Sequence, residues 1–127
     1  MANMYIREKV GPGESRIIRR AFQGDGRFAF LTCRFYGGQM LDLELDARVQ
    51  RYGRVMVDCV SAAGGSNIVA GDDDTLKFSV GIDIRRGEIL EITLTNKTVV
   101  PAGGVASDYV YDCQLIADIL EVADYGY

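Results

Sequence analysis

The stretch MLDLELDA, Met40–Ala47, decides the fold. Leu41, Leu43, Leu45 and Ala47 alternate with Asp42, Glu44 and Asp46. Side chains of a strand point alternately to its two faces, so this order puts every aliphatic residue on one side and every acid on the other. A helix of the same sequence would scatter the acids around its circumference and leave no continuous apolar stripe.

The same period recurs on either side. Leu76, Phe78, Val80, Ile82 and Ile84 alternate with Lys77, Ser79, Gly81 and Asp83. The chain then turns at Arg85-Arg86-Gly87-Glu88 and returns with Leu90, Ile92 and Leu94 separated by Glu91 and Thr93. Val55, Val57 and Cys59 mark a further strand. Upstream, Ser15–Phe22 and the aromatic-rich Arg27–Phe35 are strand candidates, punctuated by Gly24-Asp25-Gly26 and Gly37-Gly38. Ala62–Asn67, Gly71–Asp74 and Asn96–Ser107 are loops of small and polar residues.

The final run, Tyr109–Val122, fits two readings. Tyr109, Val110 and Tyr111 favour a strand, while Leu115, Ile116, Ile119 and Leu120 also fit a helical stripe. A strand is favoured here, because it closes the second sheet left open by the segments before it. About eight strands with frequent turns predict an all-β chain folded as an antiparallel two-sheet sandwich. The expected core comprises Leu41, Leu43, Leu45, Val55, Val57, Phe78, Val80, Ile82, Leu90, Ile92 and Leu94, one parity in each strand. Residues 1–14, ending in the breaker Gly11-Pro12-Gly13, are expected to be an N-terminal arm or edge segment, and residues 15–127 a single domain.

A chain of 127 residues with 48% hydrophobic and 25% charged residues has the material for a sizeable core without metals or disulfides. Fourteen basic and 18 acidic residues give a net charge of −4, which argues against a protein that coats nucleic acid. Met1–Val10 has no apolar core of the kind that export signals carry, and no stretch is long and apolar enough to span a bilayer. Cys33, Cys59 and Cys113 are odd in number, far apart and set in apolar strands, so reduced, buried thiols are expected.

Histidine is absent, which removes the commonest general base and metal ligand. The cysteines lack the spacing of a zinc site. Asp72, Asp73 and Asp74 are the densest acidic cluster, but they lack the alternation and closing glutamate of a calcium loop, and a solvated turn is the simpler reading. No glycine-rich phosphate loop is followed by a lysine of the required kind. Arg16, Arg19, Arg20, Arg85 and Arg86 read as surface and edge-strand arginines, with Phe22, Phe28 and Phe30 read as core and not as stacking platforms. No catalytic, cofactor-binding or metal-binding residue is therefore assigned, and no enzyme activity is expected.

The stretch FSVGIDIRRGEILEITLTN, Phe78–Asn96, resembles a pattern in small jelly-roll proteins of tailed-phage virions, where a strand ends in a basic-glycine-acid turn and returns as an alternating strand closing on asparagine. Tyr109-Val110-Tyr111 is similar to the aromatic start of their closing strand, and the short N-terminal arm and glycine-rich loops look alike. The resemblance implies a jelly-roll sandwich and a head or decoration role, made in the host cytoplasm and carried in the virion. It transfers no functional residue.

The last segment adds an argument about partners. Tyr109, Tyr111, Cys113 and Leu115 share one parity, and Val110, Ile116, Leu120 and Val122 the other, so a strand here would be apolar on both faces. One face of a sandwich strand normally meets water. A second cover is expected, either from the N-terminal segment with Met4, Ile6 and Val10 or from a neighbouring subunit. A homo-oligomer within a larger protein assembly follows, with a trimer as the suggested order, no membrane and no nucleic acid. The alternative is a monomeric carbohydrate- or ligand-binding module using tyrosines such as Tyr36, Tyr125 and Tyr127.

Overall fold

The computed structural model describes residues 2–36, 41–51, 55–62, 67–68 and 74–121. They form β1 (Ala2–Val10), β2 (Ser15–Ala21), β3 (Gly26–Tyr36), β4 (Leu41–Arg51), β5 (Val55–Ala62), the two-residue β6 (Asn67–Ile68), β7 (Asp74–Ile84), β8 (Ile89–Asn96) and β9 (Tyr111–Glu121). The alternating segments pair in a nested order. β1 pairs with β9, β2 with β8, β3 with β7 and β4 with β5, all antiparallel, as the two arms of one long hairpin would. Rolling that hairpin up adds β3 to β9 and β4 to β8. The result is one sheet in the order β1-β9-β3-β7 and a second in the order β2-β8-β4-β5, with β6 beside the start of β4. This is a jelly roll, an all-β antiparallel sandwich.

The core lies between the sheets and follows the period-two pattern. Leu43, Leu45, Ala47 and Val49 of β4 and Leu90, Ile92 and Leu94 of β8 are buried. They face Ile6 and Val10 of β1, Phe28, Leu31, Cys33 and Phe35 of β3, and Tyr111, Cys113, Leu115, Ala117 and Ile119 of β9. Phe35 and Tyr111 meet edge-to-face, with ring centroids 6.3 Å apart at 80°, a favourable arrangement for two quadrupoles. The expected core positions Leu41, Val55, Val57 and Phe78 lie outside the residues whose side chains are described, as does Cys59.

Three local readings need correction. Val80 and Ile82 are only partly buried against the core, and Ile84 is the fully buried residue of that strand end. The cause is a bulge: from Phe28 to Leu31 on β3, the register runs from Ile119 to Ala117 on β9 but from Ile82 to Phe78 on β7. Each strand toward the sheet edge thus carries one residue more than its neighbour, which bends the sheet. Gly81 sits in the widest part with φ +69, a conformation that a residue with a Cβ adopts only with strain. The same bulge turns Phe30 outward, where it is 36% exposed, so it is not a core residue as Phe22 and Phe28 are. Finally, Tyr109 belongs to a 3-10 turn, Ala106–Tyr109, and Val110 precedes the strand, so β9 opens at Tyr111 and not at Tyr109. From Tyr111 to Glu121 the final run is a strand.

β1 is a full edge strand, in register with β9 from Ala2–Ile119 to Val10–Tyr111. Its inner residues Ile6 and Val10 are 4% and 0% exposed. One buried polar side chain ties it to the rest. Asn96, at the end of β8 and 0% exposed, donates from Nδ2 to the carbonyls of Val10 (3.0 Å) and Tyr109 (2.9 Å), while its Oδ1 accepts from the Thr98 amide (3.0 Å). Its backbone also pairs with the turn after β1, donating to the Glu14 carbonyl and accepting from the Gly13 amide. The opposite end of the sandwich is tied by backbone bonds between Phe22 and the Gly87-Glu88 turn and by the Asp25 carboxylate, which accepts from the Arg86 amide.

Cys33 and Cys113 are free thiols with no exposed surface. Burial pushes both up to about 12. A raised thiol pKa means that the folded state holds its proton while the unfolded chain loses it above the ordinary thiol pKa of 9.0. The stabilising contribution is therefore complete below about pH 9 and is lost as pH rises toward 12.

Three measurements check this account. Asn96→Ala should lower unfolding stability by about 2 kcal/mol or more, because two buried carbonyls and one amide lose their partner; a change in urea midpoint equivalent to under about 0.5 kcal/mol would refute the role given to Asn96. Ile6→Ala should cost about 2–4 kcal/mol as a core truncation, whereas on a loose arm it would cost almost nothing. In native protein near pH 8, a thiol reagent should leave Cys33 and Cys113 unlabelled and should reach both once denaturant is added. Rapid native labelling at either would contradict their burial.

Candidate functional site

The outward residues of the two sheets follow directly from the inward ones, and the two faces differ in chemistry. On the β2-β8-β4 face, register places Ser15, Thr95 and Glu44 in one row, Ile17, Thr93 and Asp46 in the next, and Arg19, Glu91 and Arg48 in a third. Arg19 reaches Glu91 at 2.8 Å and Arg48 reaches Asp46 at 3.1 Å, while Lys97 pairs with Glu44. Charges of opposite sign alternate across this face, and Ile17, 56% exposed, stands alone among polar neighbours. Such a face is at ease in water.

The outer face of β1-β9-β3 is different. Its middle row is Tyr5, Ile116 and Thr32, side by side in register. The next row toward the bulge carries Asn3, Asp118 and Phe30, and beyond it Leu120 lies beside Arg27. Tyr5 is 71% exposed, Ile116 and Leu120 are half-buried, and Phe30 is partly exposed. On the other side of the middle row come Arg7, Gln114 and Arg34, then Lys9, Asp112 and Tyr36. Arg7 grips Asp112 with a two-pronged contact, Nε to Oδ1 at 3.1 Å and Nη2 to Oδ2 at 2.7 Å. That guanidinium holds the Asp112 carboxyl below the usual carboxylate range. The face is an apolar centre with Arg7, Arg34, Lys9 and Asp112 on one side and Asp118 and Arg27 on the other.

The residues singled out from the sequence are divided by this geometry. Ile116 and Leu120 lie on the outer face of β9, as their parity requires. Met4, Ile6 and Val10 do not cover them: β1 lies beside β9 in the same sheet, and these three point inward, buried or packed against the core. They are core residues and not a contact surface. Val110 is half-buried ahead of the strand, and Val122 lies outside the described residues. Tyr5, Phe30 and Thr32 complete the patch and were missed. Tyr5 was legible, since it has the opposite parity to Ile6. Phe30 was signalled only by the switch of apolar parity within its strand, from Phe28 to Leu31, Cys33 and Phe35, which marks the bulge.

The other candidates carry less. Among the described residues no group of three histidine, cysteine or acidic side chains is placed to hold a metal, and Asp72 and Asp73 lie outside them. Arg16 pairs with Glu14 at 2.8 Å and with Glu8 at 3.7 Å, so β2, an edge strand, carries arginines that are largely neutralised. Tyr36 is half-buried, and Tyr125 and Tyr127 lie outside the described residues. No helix among the described residues is long and apolar enough to cross a membrane.

The sequence matches no protein-family model, and no curated protein sequence matches it. Solved structures share its fold. A mitogen from Yersinia pseudotuberculosis, 13% identical, superposes over 93% of this chain and 86% of its own with a TM-score of 0.53. The VP2 subviral particle of infectious bursal disease virus gives a TM-score of 0.56 at 14% identity, over 98% of this chain but 34% of the viral one. The structure of the Gx strain of that virus gives the same score at 13% identity, over 98% of this chain and 33% of that one. This chain spans about a third of the length of those capsid chains. In fold, then, it is a jelly roll similar to a part of a viral capsid protein and to nearly the whole of a bacterial mitogen.

Proposed function

We propose that the chain is a non-enzymatic structural subunit of a virion, working as a homo-oligomer. The observation that carries this is the outer face of β1-β9-β3, where Tyr5, Ile116, Phe30 and Leu120 leave an apolar centre on a strand flanked on both sides within its sheet. An apolar centre of this kind is a recurrent mark of a surface that is covered in an assembly. The likeness in fold to a domain-sized part of a particle-forming viral protein supports the same reading. A head or decoration role in a tailed phage is its narrower form, resting on the Phe78–Asn96 pattern, with synthesis in the host cytoplasm and incorporation into the virion.

The second reading is a monomeric binding module, most simply for carbohydrate. The fold shared along most of a Yersinia mitogen favours it, since there the jelly roll makes up nearly the whole protein. Light scattering on the purified chain separates the two. The structural reading expects a mass that is a multiple of 14.0 kDa at high micromolar concentration. A monomer at that concentration, with saturable binding to a glycan panel, would overturn it in favour of the second.

A further inference from the structure

We propose that two copies of this chain pack face to face through the outer surfaces of β1-β9-β3, related by a two-fold axis running across the strands at the Tyr5–Ile116–Thr32 row. This rests on the reading of the chain as a homo-oligomer and names the surface and the symmetry of the contact.

Three features of the face point to a second copy as the occupant. The first is its charge order. Arg34, exposed and without an ion pair among the described residues, lies on one side of the middle row, and Asp118 and Phe30 lie on the other. An axis through that row exchanges the two sides, so Arg34 of each copy comes to rest over Phe30 and beside Asp118 of the other. A guanidinium over an aromatic face and next to a carboxylate is favourable on both counts. The second is the row on the axis: Ile116 meets Ile116, and Tyr5 meets Tyr5, so the middle row of the apolar centre covers itself, while Leu120 comes to lie over Asp112 of the other copy. A self-complementary patch of this kind is what a two-fold contact requires.

The third feature is size. Three strands at ~4.8 Å spacing and about 30 Å in length offer roughly 430 Å² before side-chain relief is counted, over half of the ~800 Å² per partner of a stable interface. Sheets packed this way keep their strands within about 30° of each other, which the twist of this sheet permits. On the β2-β8-β4 face Arg19 is already paired with Glu91 on the neighbouring strand and Arg48 with Asp46 on its own.

The test compares masses by light scattering and sedimentation, with circular dichroism as the check on folding. Wild type should be a dimer or a higher even-numbered oligomer. Ile116→Glu should halve the mass with an unchanged spectrum, whereas Ile17→Glu on the opposite face should leave it unaltered. Should Ile116→Glu fail to fold, the surface charges decide: Arg34→Glu and Asp118→Arg should each weaken association by tenfold or more, and the double variant should recover much of it. A wild-type trimer, or an oligomer indifferent to Ile116→Glu and to both charge reversals, overturns the two-fold pairing while the homo-oligomeric reading stands. A monomeric wild type overturns that reading and this inference with it.

Discussion

Asn96 is the constraint on which the two-sheet arrangement depends. The jelly roll places β1 and β9 in one sheet and β8 in the other, yet all three meet at the same end of the sandwich. Three backbone groups there, the carbonyls of Val10 and Tyr109 and the amide of Thr98, have no ladder partner to satisfy them where the chain leaves its strands. A single primary amide supplies two donors and one acceptor and meets all three. Its backbone meanwhile fixes the Gly13-Glu14 turn that carries the chain from one sheet to the other. A hydrophobic residue of the same size would fill the space and leave one buried and two part-buried polar groups without this partner, which costs more than the packing returns. Because both β1 and the approach to β9 hang from this point, the register of those two strands follows from it. The outer face that they build depends on that register.

Much of the fold was legible because alternation is a direct image of a two-sided sheet. Leu43–Ala47 and Leu90–Leu94 read correctly residue by residue, with every inward aliphatic buried, while Asn96, read as the start of a loop, ends β8. β9 read correctly as a strand despite its helical stripe, and the structure shows why the ambiguity arose. Ile116 and Leu120 are apolar on the outward parity, so the run lacks the polar alternation that marks other strands. What did not read correctly was displaced by geometry that a single strand does not encode. The bulge across β3 and β7 shows as a mismatch between three strands, and Phe30 moved from its expected side, while Val80 and Ile82 kept the core side and are only partly covered there. Tyr109 has a strand former's propensity, but Asn96 holds its carbonyl and the chain turns there before β9 begins. Tertiary anchoring overrode local preference.

The candidate site was half legible for the same reason. Two of its apolar members came from the parity of β9 alone. The assignment of Met4, Ile6 and Val10 to a contact failed because an isolated segment shows which residues are apolar but not which sheet it joins. Once β1 is placed at the edge of the β9 sheet, its apolar side must face inward, and what it gives the surface is the opposite parity: Tyr5, Arg7 and Lys9.

The two faces of the sandwich also show how one fold serves unrelated proteins. The inner parity is fixed by packing between sheets and by Asn96, so it leaves little choice of side chain. The outer parity is under no such constraint, and each face can be written separately. On β2-β8-β4 it is written as paired charges, which hold neighbouring strands together and repel none of the surrounding water. On β1-β9-β3 the apolar residues gather toward the centre of the face, with Ile116 and Leu120 on a strand flanked on both sides. An exposed isoleucine at the margin of a sheet is inconsequential, as Ile17 shows. Ile116 between Tyr5 and Thr32 is different, because its neighbours on both sides extend the apolar surface and do not interrupt it.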